Sequence, residues 1–124
     1  IKTVPLKVSA PFHCSLMKPA AEHMKEKINK IHFNKPKIEI VNNVTSNPVN
    51  DPAIIKKLLI DQIFSTVRWR ESMINISKKG ITNYVEIGPG KVLINMVKRT
   101  LKNINCFSVN SIDDIKKLGN EFKK

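Results

Sequence analysis

A chain of 124 residues, 41% hydrophobic and 6% aromatic, is about one domain long and apolar enough to bury a core, which excludes disorder over most of its length. Its net charge of +12 admits nucleic acid, an anionic surface or an acidic protein as partner, but only three of the 22 basic residues are arginine, the side chain best suited to bidentate contacts with phosphate and guanine. Lysine, isoleucine and asparagine together supply 49 residues, so the charge reads mainly as the bias of an A+T-rich genome and a solvated lysine surface.

Residues 2–9 alternate around Val4, Leu6 and Val8, and with Pro5 inside them they suit an edge or terminal strand. From Leu16 the period changes: Met17, Ala20, Ala21, Met24, Ile28 and Ile31 recur every three or four residues, which predicts a helix over 15–31, with Pro19 tolerated in its first turn. Residues 33–36 break it, and Ile38, Ile40 and Val41 read as a strand ending near Asn42 or Asn43. Residues 45–50 are polar and read as a loop. Asp51 as N-cap and Pro52 at the first helical position open a second helix with the stripe Ile54, Ile55, Leu58, Leu59, Gln62 and Ile63.

A third helix follows from about Arg68, with Trp69, Met73 and Ile76 inward, and stops at Gly80. Residues 84–87 form a short strand, Gly88-Pro89-Gly90 turns sharply, and the next helix carries Val92, Leu93, Met96, Val97 and Leu101. A last strand over 106–109 precedes a closing helix marked by Ile112, Ile115, Leu118 and Phe122. The order β-α-β-α-α-β-α-β-α predicts an α/β fold, a mainly parallel sheet with flanking helices.

No stretch approaches the roughly 20 apolar residues of a membrane-spanning helix, and no secretory leader precedes the first element, so a soluble, cytoplasmic protein is expected. Cys14 and Cys106 lie far apart and form no CxxC pair; they read as reduced thiols and predict neither a disulfide framework nor a metal site. The start at Ile1 rather than methionine, inside a structural element, suggests a truncated beginning.

Three segments carry chemistry. At His13, in Val8-Ser9-Ala10-Pro11-Phe12-His13-Cys14-Ser15, a strand gives way through a proline turn to a helix, where an imidazole can serve as general base or cap the helix. Cys14 is a second candidate nucleophile, though adjacent side chains seldom face each other, which argues against a Cys14-His13 pair. Ile87-Gly88-Pro89-Gly90-Lys91 is a strand-turn-helix whose first N–H groups could face an anion, although it fits neither GxGxxG nor GxxxxGK[ST] and is equally a plain tight turn. Gln62 is a polar residue on an apolar stripe, as expected where a buried amide satisfies nearby backbone.

Together, VSAPFHCSLMKPA, IVNNV, DQIFSTVRW and YVEIGPGKVL resemble the C-terminal portion of the malonyl-CoA:acyl carrier protein transacylases and related acyltransferase domains, from Val4 to about Leu101. The resemblance implies that residues 1–9 return from, or belong to, a missing ferredoxin-like subdomain, and that residues 10–124 are the C-terminal part of the acyltransferase α/β domain. It implies transfer of malonyl from coenzyme A to an acidic acyl carrier protein through a serine acyl-enzyme in fatty acid biosynthesis, with malonyl-CoA as substrate and with no cofactor, metal, nucleic acid or membrane required. His13 matches the family's base, and Gln62 the residue whose backbone carbonyl orients that histidine. Phe12 matches the residue that in many malonyl-selective members narrows the pocket against branched acyl groups.

The family's GHSxGE serine elbow is absent: none of the eight serines stands in it. Its oxyanion-hole glutamine and the arginine that pairs with the malonyl carboxylate also match nothing here, since Arg68, Arg70 and Arg99 fall at other positions. These 124 residues alone are therefore expected to be inactive, supplying a base without its nucleophile. The alternative is a non-catalytic remnant or interaction module of the same family; a basic nucleic-acid binder is disfavoured by the lack of any recognised motif.

Overall fold

The computed structural model describes Thr3 and residues 9–123, so the strand expected over residues 2–9, and with it the proposed subdomain segment 1–9, falls almost wholly outside the described residues. The described chain divides into two compact units, residues 1–72 and 73–124.

In the first unit a 3-10 turn, Ser15–Met17, leads into α1, Lys18–Lys30, with Pro19 in the first turn, where a missing N–H costs nothing. Of the apolar stripe, Ala21 and Ile28 are buried, while Met24 and Ile31 remain exposed. The helix α2, Pro52–Asp61, begins where its cap was legible: the Asp51 carboxylate accepts from the N–H groups of Ala53 at 2.7 Å and Ile54 at 3.1 Å, a cap worth about 1 kcal/mol. Ile55 and Leu58 are its buried residues, and α1 packs against α2. Lys56 ties the two helices together, donating from Nζ to the Ile31 carbonyl at 2.7 Å while lying 5.2 Å from the centre of the Phe33 ring.

Between these helices the sequence expectation needs correcting. Only Ile40–Val41 forms a strand, β1, and it pairs antiparallel with β2, Pro48–Val49, inside the segment read as a loop. The side chain of Asn42 makes the reversal: its Oδ1 accepts from the N–H groups of Val44 at 3.0 Å and Thr45 at 2.9 Å, and its own carbonyl accepts from Ser46 at 3.1 Å. A two-residue strand depends on its partner across the turn, so periodicity along the chain cannot reveal it.

The helix α3, Trp69–Lys78, runs across the division between the units, with Ser72 and Met73 buried, and the chain leaves it through Gly80 at φ +80. The second unit is a β-α-β-α run. Its strands β3, Asn83–Ile87, and β4, Asn105–Val109, pair in parallel from Asn83 opposite Asn105 to Ile87 opposite Val109. The helix α4, Val92–Thr100, crosses between them, and α5, Ile112–Glu121, packs on β4, where Phe107 and Phe122 meet at 5.6 Å. Of the apolar residues on α4, Ile94 and Val97 are buried, whereas Val92, Leu93 and Met96 are exposed. Among the described residues the parallel arrangement is thus confined to β3 and β4, and the other sheet is antiparallel.

Candidate functional site

His13 lies in the connection that precedes the 3-10 turn, and its backbone has φ +58, in the left-handed region that few residues other than glycine occupy and that histidine enters more readily than most. It does not cap the helix, because Cys14 occupies the N-cap position of the turn. The imidazole instead crosses to the far end of α2, where Nδ1 lies 2.8 Å from the backbone carbonyl of Gln62, a residue 49 positions away. A carbonyl oxygen only accepts, so Nδ1 is the donor in this bond, and in the neutral ring Nε2 is then the acceptor. The hydrogen bond between His13 and the Gln62 carbonyl that the resemblance implies is present in the fold.

Gln62 is available for it because of its place on the helix. It is the C-cap of α2, its N–H donating to the Leu58 carbonyl at 3.0 Å, and the last carbonyls of a helix have no intrahelical partner. Two of its neighbours are satisfied locally, Ile60 by the N–H of Ile63 and Asp61 by that of Phe64, and the Gln62 carbonyl is satisfied by His13. The Gln62 side chain, half-buried, accepts at Oε1 from Asn43 Nδ2 at 3.2 Å. Asn43 is visible in the sequence only as the second asparagine of IVNNV, with nothing to mark it as a hydrogen-bond partner of Gln62.

The Cys14 thiol is engaged with the Pro11 carbonyl at 3.1 Å on the same loop. Phe12, the other residue singled out beside His13, is 57% exposed.

In the second unit the anion capacity expected at Gly88-Pro89-Gly90-Lys91 is met from within the chain. Gly88 and Gly90 take φ values of +137 and +91, and the turn delivers the start of α4 to Glu86 on β3. This carboxylate, buried at 9% exposure, accepts from the N–H groups of Leu93 at 3.1 Å and Ile94 at 2.9 Å. The N–H groups that could have faced a ligand anion are therefore occupied by a protein carboxylate. Sequence reading missed Glu86, since a glutamate between Val85 and Ile87 reads as the solvent-facing member of the strand. Among the described residues, no group of three His, Cys, Asp or Glu side chains is placed to hold a metal ion, and no helix is long and apolar enough to cross a membrane.

No family model matches the chain. Individual proteins do: a malonyl CoA-acyl carrier protein transacylase of Synechocystis is 38% identical over 117 residues, covering 94% of this chain and 40% of the relative. Among solved structures, an acyl-carrier-protein-S-malonyltransferase from Bartonella henselae superposes with a TM-score of 0.88 at 37% identity, covering 94% of this chain and 37% of that one. A malonyl-transacylase solved in complex with its type II PKS acyl-carrier protein gives a TM-score of 0.83 at 36% identity, again over 94% of this chain and 38% of that one. The chain spans well under half the length of the relatives it matches. Over more than nine-tenths of its residues it is nevertheless similar to one part of the malonyl CoA-acyl carrier protein transacylases.

Proposed function

We propose that this chain contributes the general base and its orienting carbonyl to a malonyl transfer site whose nucleophilic serine stands on polypeptide outside these 124 residues. The carrying observation is the 2.8 Å contact between His13 Nδ1 and the Gln62 carbonyl, two residues 49 positions apart. With Nδ1 committed as a donor, Nε2 takes the serine proton as Oγ attacks the malonyl thioester carbon of malonyl-CoA. The C–S bond breaks, and the proton passes from Nε2 to the departing coenzyme A thiolate. In the second half-reaction Nε2 takes the proton of the carrier protein's phosphopantetheine thiol, whose sulfur attacks the acyl-serine, and returns it to the serine oxygen. The chemistry is thioester exchange in fatty acid biosynthesis, in the cytoplasm, and calls for no cofactor.

In this reading residues 10–124 are the C-terminal part of the acyltransferase α/β domain, residues 1–9 connect to or belong to its ferredoxin-like subdomain, and β3 and β4 join a larger, mainly parallel sheet. A parallel pair with an exposed outer face supports that extension, since parallel sheets are ordinarily covered on both faces.

The test is malonyl transfer from malonyl-CoA to an acyl carrier protein, measured with this chain, with a separate polypeptide bearing the serine elbow and the rest of the fold, and with both. The chain alone is expected at background and the pair above it, and His13→Ala is expected to lower the pair's rate by at least about 100-fold. Turnover by the chain alone that survives His13→Ala overturns the reading.

A further inference from the structure

The carbonyl that holds His13 sits at the C-cap of a helix, where the backbone leaves the regular hydrogen-bond ladder and its direction depends on local partners. Its neighbourhood supplies them. Past Gln62 the chain leaves α2 and runs to Arg68 before α3 begins. Asn43 holds both ends of this connection: its Nδ2 donates to Gln62 Oε1 at 3.2 Å, and its carbonyl accepts from the Arg68 N–H at 2.9 Å. Asn43 is itself fixed from the other side, because Asn42 next to it closes the reversal between β1 and β2 with its own side chain. The two asparagines divide the work, Asn42 building the turn and Asn43 reaching from it to the end of α2.

We infer that Asn43 is a positioning residue for the imidazole of His13, acting through the Gln62 side chain. The inference rests on His13 being the base. The Asn43 amide is hydrogen-bonded to Gln62 rather than to the imidazole; it restrains the Gln62 side chain, and through it the peptide plane whose oxygen accepts from Nδ1. Every side-chain substitution at Gln62 leaves that backbone carbonyl chemically intact. Substitutions at residues 43 and 62 can therefore separate the loss of the restraint from the loss of the acceptor.

The readout is the tautomer of His13 in the 124-residue chain, from long-range proton–nitrogen correlations of the 15N-labelled imidazoles at a pH where the rings are neutral. It needs no turnover, so it gives its answer even if the chain takes no part in malonyl transfer. His13 is expected in the Nδ1–H form. Asn43→Ala should lower the ratio of Nδ1–H to Nε2–H by about fivefold, the order expected for losing one hydrogen bond, while His23 and His32 keep their signals as controls of the fold. Gln62→Ala should do the same, the double variant should do no more than either single one, and Gln62→Glu, which keeps an acceptor for Asn43, should restore the parent ratio. An unchanged His13 ratio in Asn43→Ala overturns the inference, as do additive effects in the double variant. Should Asn43→Ala not fold, an unchanged ratio in Gln62→Ala overturns it equally.

Discussion

A buried carboxylate on a strand ordinarily needs a cation, yet Glu86 is satisfied by the N–H groups of Leu93 and Ile94, donors that carry no formal charge. The start of a helix is a place where backbone alone supplies such donors, aligned and without intrahelical partners of their own. Glu86→Ala leaves the buried Ile94 amide and the part-buried Leu93 amide without their acceptor and should cost roughly 2–3 kcal/mol, against a smaller loss for Glu86→Gln, which keeps one acceptor oxygen. Denaturant midpoints measure the loss, and faster hydrogen exchange at Leu93 and Ile94 localises it. This residue also shows where reading from sequence ran out. His13 and Gln62 each broke a local pattern, one at a strand-to-helix junction and the other on an apolar stripe, but it was the resemblance to the transacylases that joined them into a pair. Glu86 and Asn43 broke none, since a glutamate in a short strand and an asparagine in a polar turn are ordinary, and their partners seven to nineteen residues away are set by the fold.

Helices whose caps lie in their own sequence were read almost to the residue, as α2 was from Asp51 and Pro52. The pair β1–β2 was not, because its pairing is decided across the Asn42 turn; on α4, apolar residues lie on more than one face, so sequence alone does not separate buried Ile94 and Val97 from exposed Val92 and Leu93. The helix α5 has a reciprocal cap: Ser111 Oγ accepts from the Asp114 N–H at 3.2 Å, and the Asp114 carboxylate accepts from the Asn110 N–H at 3.1 Å. The hydrogen bond from the Asn110 backbone, and after it that from the Ser111 side chain, holds the Asp114 carboxyl below the ordinary aspartate range. A carboxyl with a depressed folded value stabilises fully above its unfolded value, and the contribution is lost as pH falls through the folded one. On acidification the first turn of α5 should therefore loosen only below the ordinary aspartate range, and in Asp114→Asn this step should vanish. The amide shifts of Asn110 and Asp114 across an acid titration check it; a step of the same size in Asp114→Asn would sink the assignment.

At the scale of the molecule, the second unit turns a strongly apolar side to solvent. Ile87 is 83% exposed at the end of β3, Ile112 and Ile115 are 73% and 60% exposed on α5, and with Val109 they line a groove of about 390 Å³. Contiguous apolar surface of this kind favours association. Sedimentation at rising concentration should show the chain self-associating, and Ile87→Ser combined with Ile115→Ser should reduce both that association and the binding of a hydrophobic dye; unchanged behaviour in the double variant would remove this surface as the cause. The first unit carries a consequence of another kind. His13 is translated 49 residues before the carbonyl that orients it, so a nascent chain displays an unguided imidazole until the end of α2 has left the ribosome. The ring acquires its direction in one late closure, and its signal can serve as a clock for the folding of that unit, silent through the formation of α1 and changing only when the chain ends meet.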